Sequence, residues 1–202
     1  MTIEKGKPWG EAAALPPDGV VVGSDAEARL VLEEARHAGL PFPVIGLTGG
    51  DLWRTLGGIP GKERLHTEMA RTFPVDLGQV QIDGRLHLFI AHVVVRDALW
   101  RRTTVAMNAQ WIGSWNIGHK AHPNDGKLDL YEANLRLGDL TKVRSRLSSG
   151  SFLPHPRITY RRAAAEVLDL GTRRPIRLDG QLVVYGRELV VRAQPDAVRV
   201  VV

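Results

Sequence analysis

Val20–Val31 reads VVVGSDAEARLV and Pro43–Pro60 reads PVIGLTGGDLWRTLGGIP, and the two stretches decide the first part of the fold. In the first, three valines signal a short buried strand and Gly23-Ser24-Asp25 breaks it. Ser24, with Glu27 three residues on, forms a capping box that opens a helix over Ala26 to His37. Ala28, Val31, Leu32 and Ala35 fall on one face of it, and Gly39 closes it. The second stretch repeats the device with a strand over Pro43 to Leu47, the turn Thr48-Gly49-Gly50-Asp51 and a short helix to Leu56. Residues 1–19, rich in Pro, Gly and Ala, read as an extended lead-in.

From Val75 onward the pattern changes to β-branched segments separated by Asp-Gly, Asn-Asp-Gly and Gly-Arg turns. Strands are predicted at Val75 to Ile82, Leu86 to Arg96, Thr103 to Trp111, Lys127 to Asn134, Arg157 to Tyr160, Ala164 to Leu170 and Ile176 to Leu178. Further strands follow at Gln181 to Tyr185, Glu188 to Ala193 and Ala197 to Val202. Asp83-Gly84 and Asp179-Gly180 are hairpin signals, and one helix is expected at Asp139 to Leu147. The fold class is therefore α+β. A small α/β part of strand-turn-helix units, residues 1–74, precedes a larger antiparallel β-sandwich, residues 75–202.

Composition narrows the class of protein. The chain is 202 residues long and 44% hydrophobic, enough to bury a real core. No stretch is long and apolar enough for a membrane span and the first ten residues lack a signal core, so a cytoplasmic protein is expected. With no cysteine, disulfides and thiolate metal sites are excluded. The net charge is +5, and Arg136 to Arg177 holds ten Lys or Arg against three acids. Gathered on one face, these would attract a nucleotide's phosphates or an anionic membrane, which allows a peripheral location on the inner membrane face; spread out, they are solvated surface. No nucleic-acid-binding signature accompanies the charge.

Three stretches, in order, resemble the bacterial diacylglycerol-kinase family of lipid kinases, within the wider NAD-kinase-like superfamily. VVVGSDAEARLV stands where the family has a strand, GGDGT and a helix. PVIGLTGGDLWRTLGGIP is similar to its segment in which GTxND leads into FARxLG, and AHPNDGKLDLYEA at Ala121 to Ala133 to its DGxLDV loop. LDGQ at Leu178 to Gln181 and the ending VRAQPDAVRVVV complete the likeness. The family's opening strand and helix around NPxSG, and an insertion after the first sandwich strands, have no counterpart, so the likeness is to a shortened and divergent relative.

The resemblance implies ATP and magnesium as cofactors and a lipid hydroxyl as acceptor. Gly23, Ser24, Asp25 and Thr48, Gly49, Gly50, Asp51 would lie against the nucleotide, although Ala26 and Glu27 add bulk and charge where the family has glycine and threonine. Asp125 stands at a magnesium carboxylate, with the backbone carbonyls of His122 and Lys127 beside it; Asn124-Asp125-Gly126 is equally a turn on propensity alone. At the position of the family's catalytic acid stands Gln181, which cannot accept a proton, leaving Asp179 as a weak substitute or a hairpin residue. Trp100, Trp111 and Trp115 are candidates for an acyl-chain pocket or for packing. The expectation is a diacylglycerol-kinase-like protein that binds a nucleotide or lipid headgroup with weak or no kinase activity. An active lipid kinase and a self-associating, ligand-free sandwich that forms a homodimer are the alternatives.

Overall fold

The computed structural model describes residues 9–202. A short strand β1 (Glu11–Ala12) leads to β2 (Val20–Val22), α1 (Asp25–His37), β3 (Ile45–Leu47) and α2 (Asp51–Thr55). After a 3-10 turn at Lys62–His66 come β4 (Arg71–Ile82), β5 (Arg85–Phe89), β6 (His92–Arg96), β7 (Arg102–Met107) and β8 (Leu128–Asn134). Helix α3 (Leu137–Leu147), β9 (Ile158–Ala163), β10 (Ala165–Leu178) and β11 (Gln181–Val201) complete the order. Three helices accompany one sheet of 11 strands among the described residues, which makes the chain α+β.

The sheet runs β1-β4-β11-β10-β6-β7-β8-β9, with β5 also on β4. Its pairings are antiparallel except that β2 runs parallel to β3 and β3 parallel to β11. Strand β11 is the spine. Its first half lies between β10 and β4, and near its end β3 takes over from β10, with Val200 opposite both Ile45 and Phe73. The two strand-turn-helix units are thus an extension of the large sheet. That sheet curls, because Val80 and Ile82 of β4 share one core with Leu128 and Leu130 of β8, although four other strands separate them.

Local chemistry explains each element. Ser24 Oγ accepts the Glu27 amide, as the capping box requires, and Ala28 and Leu32 of α1 are fully buried against Ile45, Leu47 and Val200. Each large apolar side chain so buried contributes roughly 1.5–3 kcal/mol. Asp83-Gly84 and Asp179-Gly180 both have positive φ at the two central positions, the conformation of tight hairpin turns.

The structure departs from the predicted strands: the one expected over Thr103 to Trp111 ends at Met107, and two further stretches differ more widely. The expected single strand over Leu86 to Arg96 is broken at Ile90 and Ala91, whose amides donate to the Asp179 carboxylate. The carbonyls there accept from Asn108, so the chain can leave β4 and join β7 and β10 without an unpaired backbone group. The fragments expected after Ala164 merge into two long strands instead. Register shifts in β10 between Asp169 and Arg174, and in β11 between Gln194 and Val198, carry the strands through the predicted gaps, which hold Gly171 and Pro195.

Candidate functional site

The two glycine turns come together at the top of α1 and α2. Gly49 lies so close to Gly23 that a Cβ on it would stand 2.6 Å from the Gly23 carbonyl oxygen, and both the amide and hydroxyl of Thr48 donate to the Val22 carbonyl. Gly50 has φ +108°, and a Cβ there would meet the Asp25 carboxylate at 2.5 Å. Only glycine fits. Asp25 uses that space to accept the amides of Asp51 and Leu52, the first residues of α2. On the first turn the Gly23 amide donates to Glu27 Oε2 at 2.8 Å. Both turns are therefore filled by carboxylates of the chain itself.

A polar seam continues from there into the sheet. Asp51 Oδ2 lies 2.9 Å from His92 Nε2, and Asp51 Oδ1 accepts the Gly113 amide. Asp179, whose side chain is fully buried, accepts the amides of Ile90, Ala91 and His92. Arg29, itself buried, lies 3.9 Å from Asp179 and donates to Glu33 and to Gln181 Oε1. Burial, then the nearby Asp179 charge, pushes Asp25 up to about 7, and burial raises Asp179 as well. Burial pulls the His92 imidazole down, yet its bond to Asp51 and the charges of Asp179, Asp51 and Asp25 outweigh this and raise it.

Asp125 belongs to a second group. Its carboxylate accepts the Lys127 amide and pairs with Arg162, which also reaches Asp129 at 2.9 Å. The loop around it is fastened by Asp76, which accepts the amides of Gly126 and Asp196 and is pushed up to about 6 by burial. His122 turns its Nδ1 to the Asn124 amide and its ring to Trp9.

No family model and no curated protein matches the sequence. Solved structures do. Three structures of a protein assigned as a diacylglycerol kinase from Bacillus anthracis str. Sterne superpose with TM-scores of 0.66, 0.65 and 0.62 at 14% identity. Each covers 91% of this chain and 75–77% of the other. This chain has a diacylglycerol-kinase-like fold.

Within that diacylglycerol-kinase-like fold the sequence-predicted residues fall in two places. Gly23, Ser24, Asp25, Thr48, Gly49, Gly50 and Asp51 form the filled turns, with Asp179 and Gln181 on the seam behind them. Asp125, His122 and Lys127 sit in the loop held by Asp76. A magnesium ion does not fit this loop as it is arranged, because the Asp125 oxygens already serve Arg162 and the Lys127 amide. In the turns, the amides of Gly23, Asp51 and Leu52 already donate to carboxylates of the chain. His92, Arg29 and Asp76 escaped the sequence reading. Only the Arg29–Glu33 spacing, four apart on α1, gave any local signal.

The β part of this diacylglycerol-kinase-like chain carries an apolar cavity of about 60 Å³ between α3 and the face of β7 and β8. None of the glycine-turn residues lines it. Trp100 and Trp115 do, edge to face at 4.9 Å, whereas Trp111 lies under the Arg54 guanidinium at 3.6 Å. The basic stretch is partly self-neutralised: Arg161 pairs with Glu132 and Glu166, and Arg162 with Asp125 and Asp129. No helix among the described residues is long and apolar enough to cross a membrane.

Proposed function

We propose that this chain is a divergent diacylglycerol-kinase-like protein that binds a lipid and transfers phosphate weakly or not at all. The observation that carries the reading is the occupancy of the turns: the amides of Gly23, Asp51 and Leu52 donate to Glu27 and Asp25. A nucleotide phosphate laid against these turns competes for those donors. To take them it must displace three charge-assisted hydrogen bonds, each about 1.5–3 kcal/mol, and lie beside two acidic side chains. The acceptor side is equally unsuited, since Gln181 accepts a hydrogen bond from Arg29 and has no basic lone pair for a hydroxyl proton.

The cavity under α3 favours a lipid over a nucleotide as ligand, because its walls are apolar and aromatic. Basic side chains of α3, Arg144 and Arg146, lie exposed over the same region and suit an anionic membrane surface. The test pairs two measurements on the purified chain. Labelled ATP with diacylglycerol in mixed micelles is expected to give no phosphorylated lipid, and ATP with magnesium no rise in melting temperature, while lipid alone raises it. Sustained turnover of diacylglycerol overturns the reading.

A further inference from the structure

The turn between β6 and β7 and the start of α3 are tied side by side at one end of the sheet. The Leu135 amide donates to the Arg101 carbonyl at 2.8 Å, Arg101 Nε donates to the Leu135 carbonyl, and Arg144 of α3 donates to the carbonyl of Leu99. The turn is also held from within. Asp97 accepts the amides of Arg101 and Arg102, and Trp100, at φ +60°, sets its indole against Trp115 and beneath the Arg96 guanidinium. Leu99 is left outside, 50% exposed, and so is Leu137, the first residue of α3, at 63%.

Single exposed leucines are ordinary on a protein surface. These two differ in what surrounds them. Residues 96–102 and 135–144 carry six basic side chains against two acids. Both acids are engaged, Asp97 by the turn amides and Asp139 by the Arg136 amide, with His155 and Arg157 facing it. Of the basic residues, Arg101, Arg102, Arg136, Lys142 and Arg144 are all exposed. Apolar side chains displayed within a ring of cations match the boundary of an anionic bilayer, where the acyl region takes the leucines and the phosphates take the guanidinium groups.

We propose that this end of the molecule docks on an anionic membrane, with Leu99 and Leu137 entering the headgroup and acyl boundary and Arg101, Arg102, Arg136 and Arg144 resting on lipid phosphates. This rests on the anionic-membrane reading of α3 above and names the part of the chain that enters the lipid. Two weak signals act together, since charge draws the chain to the surface and the leucines hold it there. Docking in this way turns the glycine turns away from the bilayer. Strand β7 runs six residues from Arg102 to Met107, and just beyond it the Gln110 amide donates to Thr55 of α2. At 3.3 Å per residue the two ends of β7 are about 17–20 Å apart, so the membrane surface and the turns are separated by that length, which agrees with binding in place of phosphorylation.

The chain has no cysteine, so a single one introduced by Leu99→Cys or Leu137→Cys can carry an environment-sensitive nitrobenzoxadiazole label. The labelled full chain is mixed with vesicles of phosphatidylcholine and phosphatidylglycerol, about 7 to 3, or of phosphatidylcholine alone. The expected result is a blue shift of the label at either position with the anionic vesicles, and none with a label introduced by Leu40→Cys, an equally exposed leucine after α1. In co-sedimentation, Leu99→Ser combined with Leu137→Ser is expected to weaken binding to the anionic vesicles about tenfold or more, and the binding that remains is lost as salt is raised. Both side chains are exposed, so the double variant should melt like wild type. If it melts so and binds as tightly as wild type, with the label at position 99 still in water, the leucine tip is wrong while the charge on α3 stands. Equal binding of wild type to both kinds of vesicle overturns the role of the arginines. If wild type sediments with neither, the tip and the membrane reading fall together.

Discussion

The His92 imidazole meets the Asp51 carboxylate at 2.9 Å and joins β6 to the first residue of α2 across 41 positions of sequence. The imidazole is 2% exposed and its partner 20%, so the contact is largely out of water. Removing one member of such a pair strands the other. His92→Ala is expected to lower stability by about 3 kcal/mol, and His92→Gln, which keeps a donor, by clearly less. Urea unfolding of both variants measures this; equal losses would show that the hydrogen bond is unimportant.

Stability is expected to fall as pH rises from 5 to 8. Asp25 and Asp76 are raised from 3.8 to about 7 and about 6, so between those limits the folded state holds protons that the unfolded state has released. Buried Asp179 acts in the same direction. His92, raised above 6.5, contributes fully below 6.5 and loses its contribution as pH passes its folded value. All four signs agree. Each proton held steepens the fall by about 1.4 kcal/mol per pH unit, and Asp25→Asn should flatten the profile. Melting curves that do not move between pH 5 and 8 contradict the shifts.

Restoring the acid alone should not create a kinase. Gln181→Glu places a carboxylate 3 Å from the guanidinium of Arg29, where an ion pair is the outcome, and it leaves both turns filled. Combined with Glu27→Ala, which frees the Gly23 amide at a cost of about 0.5–2 kcal/mol, it should let ATP raise the melting temperature without rapid turnover. Phosphatidate formation by the single variant would show that the turns are open to phosphate.

Vesicle binding should depend on α3 and not on β9. Lys142, Arg144 and Arg146 are exposed on the helix, whereas Arg161 and Arg162 are engaged with four carboxylates. Neutralising the three on α3 is expected to abolish most binding to anionic vesicles, and raising salt to weaken the wild type, since screening shortens the reach of each charge. Co-sedimentation distinguishes this from the converse, in which the β9 arginines matter more.

Magnesium should not stabilise the wild type. Arg162 already holds Asp125, so a divalent cation gains access to that carboxylate only in Arg162→Gln. A magnesium-dependent rise in melting temperature is expected in that variant alone. The same rise in wild type would mean that the ion displaces Arg162 unaided.

What was legible in the sequence was local. The Ser24–Glu27 capping box and the Asp-Gly turns at 83–84 and 179–180 are set by residues a few positions apart, and the structure has them where they were read. Gln181 at the expected acid position was visible from one motif. Breaks and mergers of strands were not, because Ile90 and Ala91 are released from the ladder by Asp179, 88 and 89 positions away. The predicted strands end at Ala193 and resume at Ala197, yet the bulge that joins them around Pro195 needs β4 as partner. His92 was hidden among the β-branched residues of its strand, since nothing near it in sequence names Asp51.

Strand β11 has a consequence for how the chain is made. Its last residues seat Val200 between Ile45 and Phe73, so β3 and the first turn of β4 wait for a partner synthesised more than 120 positions later. At about 5–20 residues per second, translation leaves that gap open for roughly 6–25 seconds. During it the edge of β3 that β11 will cover is bare, a surface open to mispairing. The fold thus closes only once β11 has been made, not strand by strand from β2 forward, and a chaperone that shields strand edges would act on this interval.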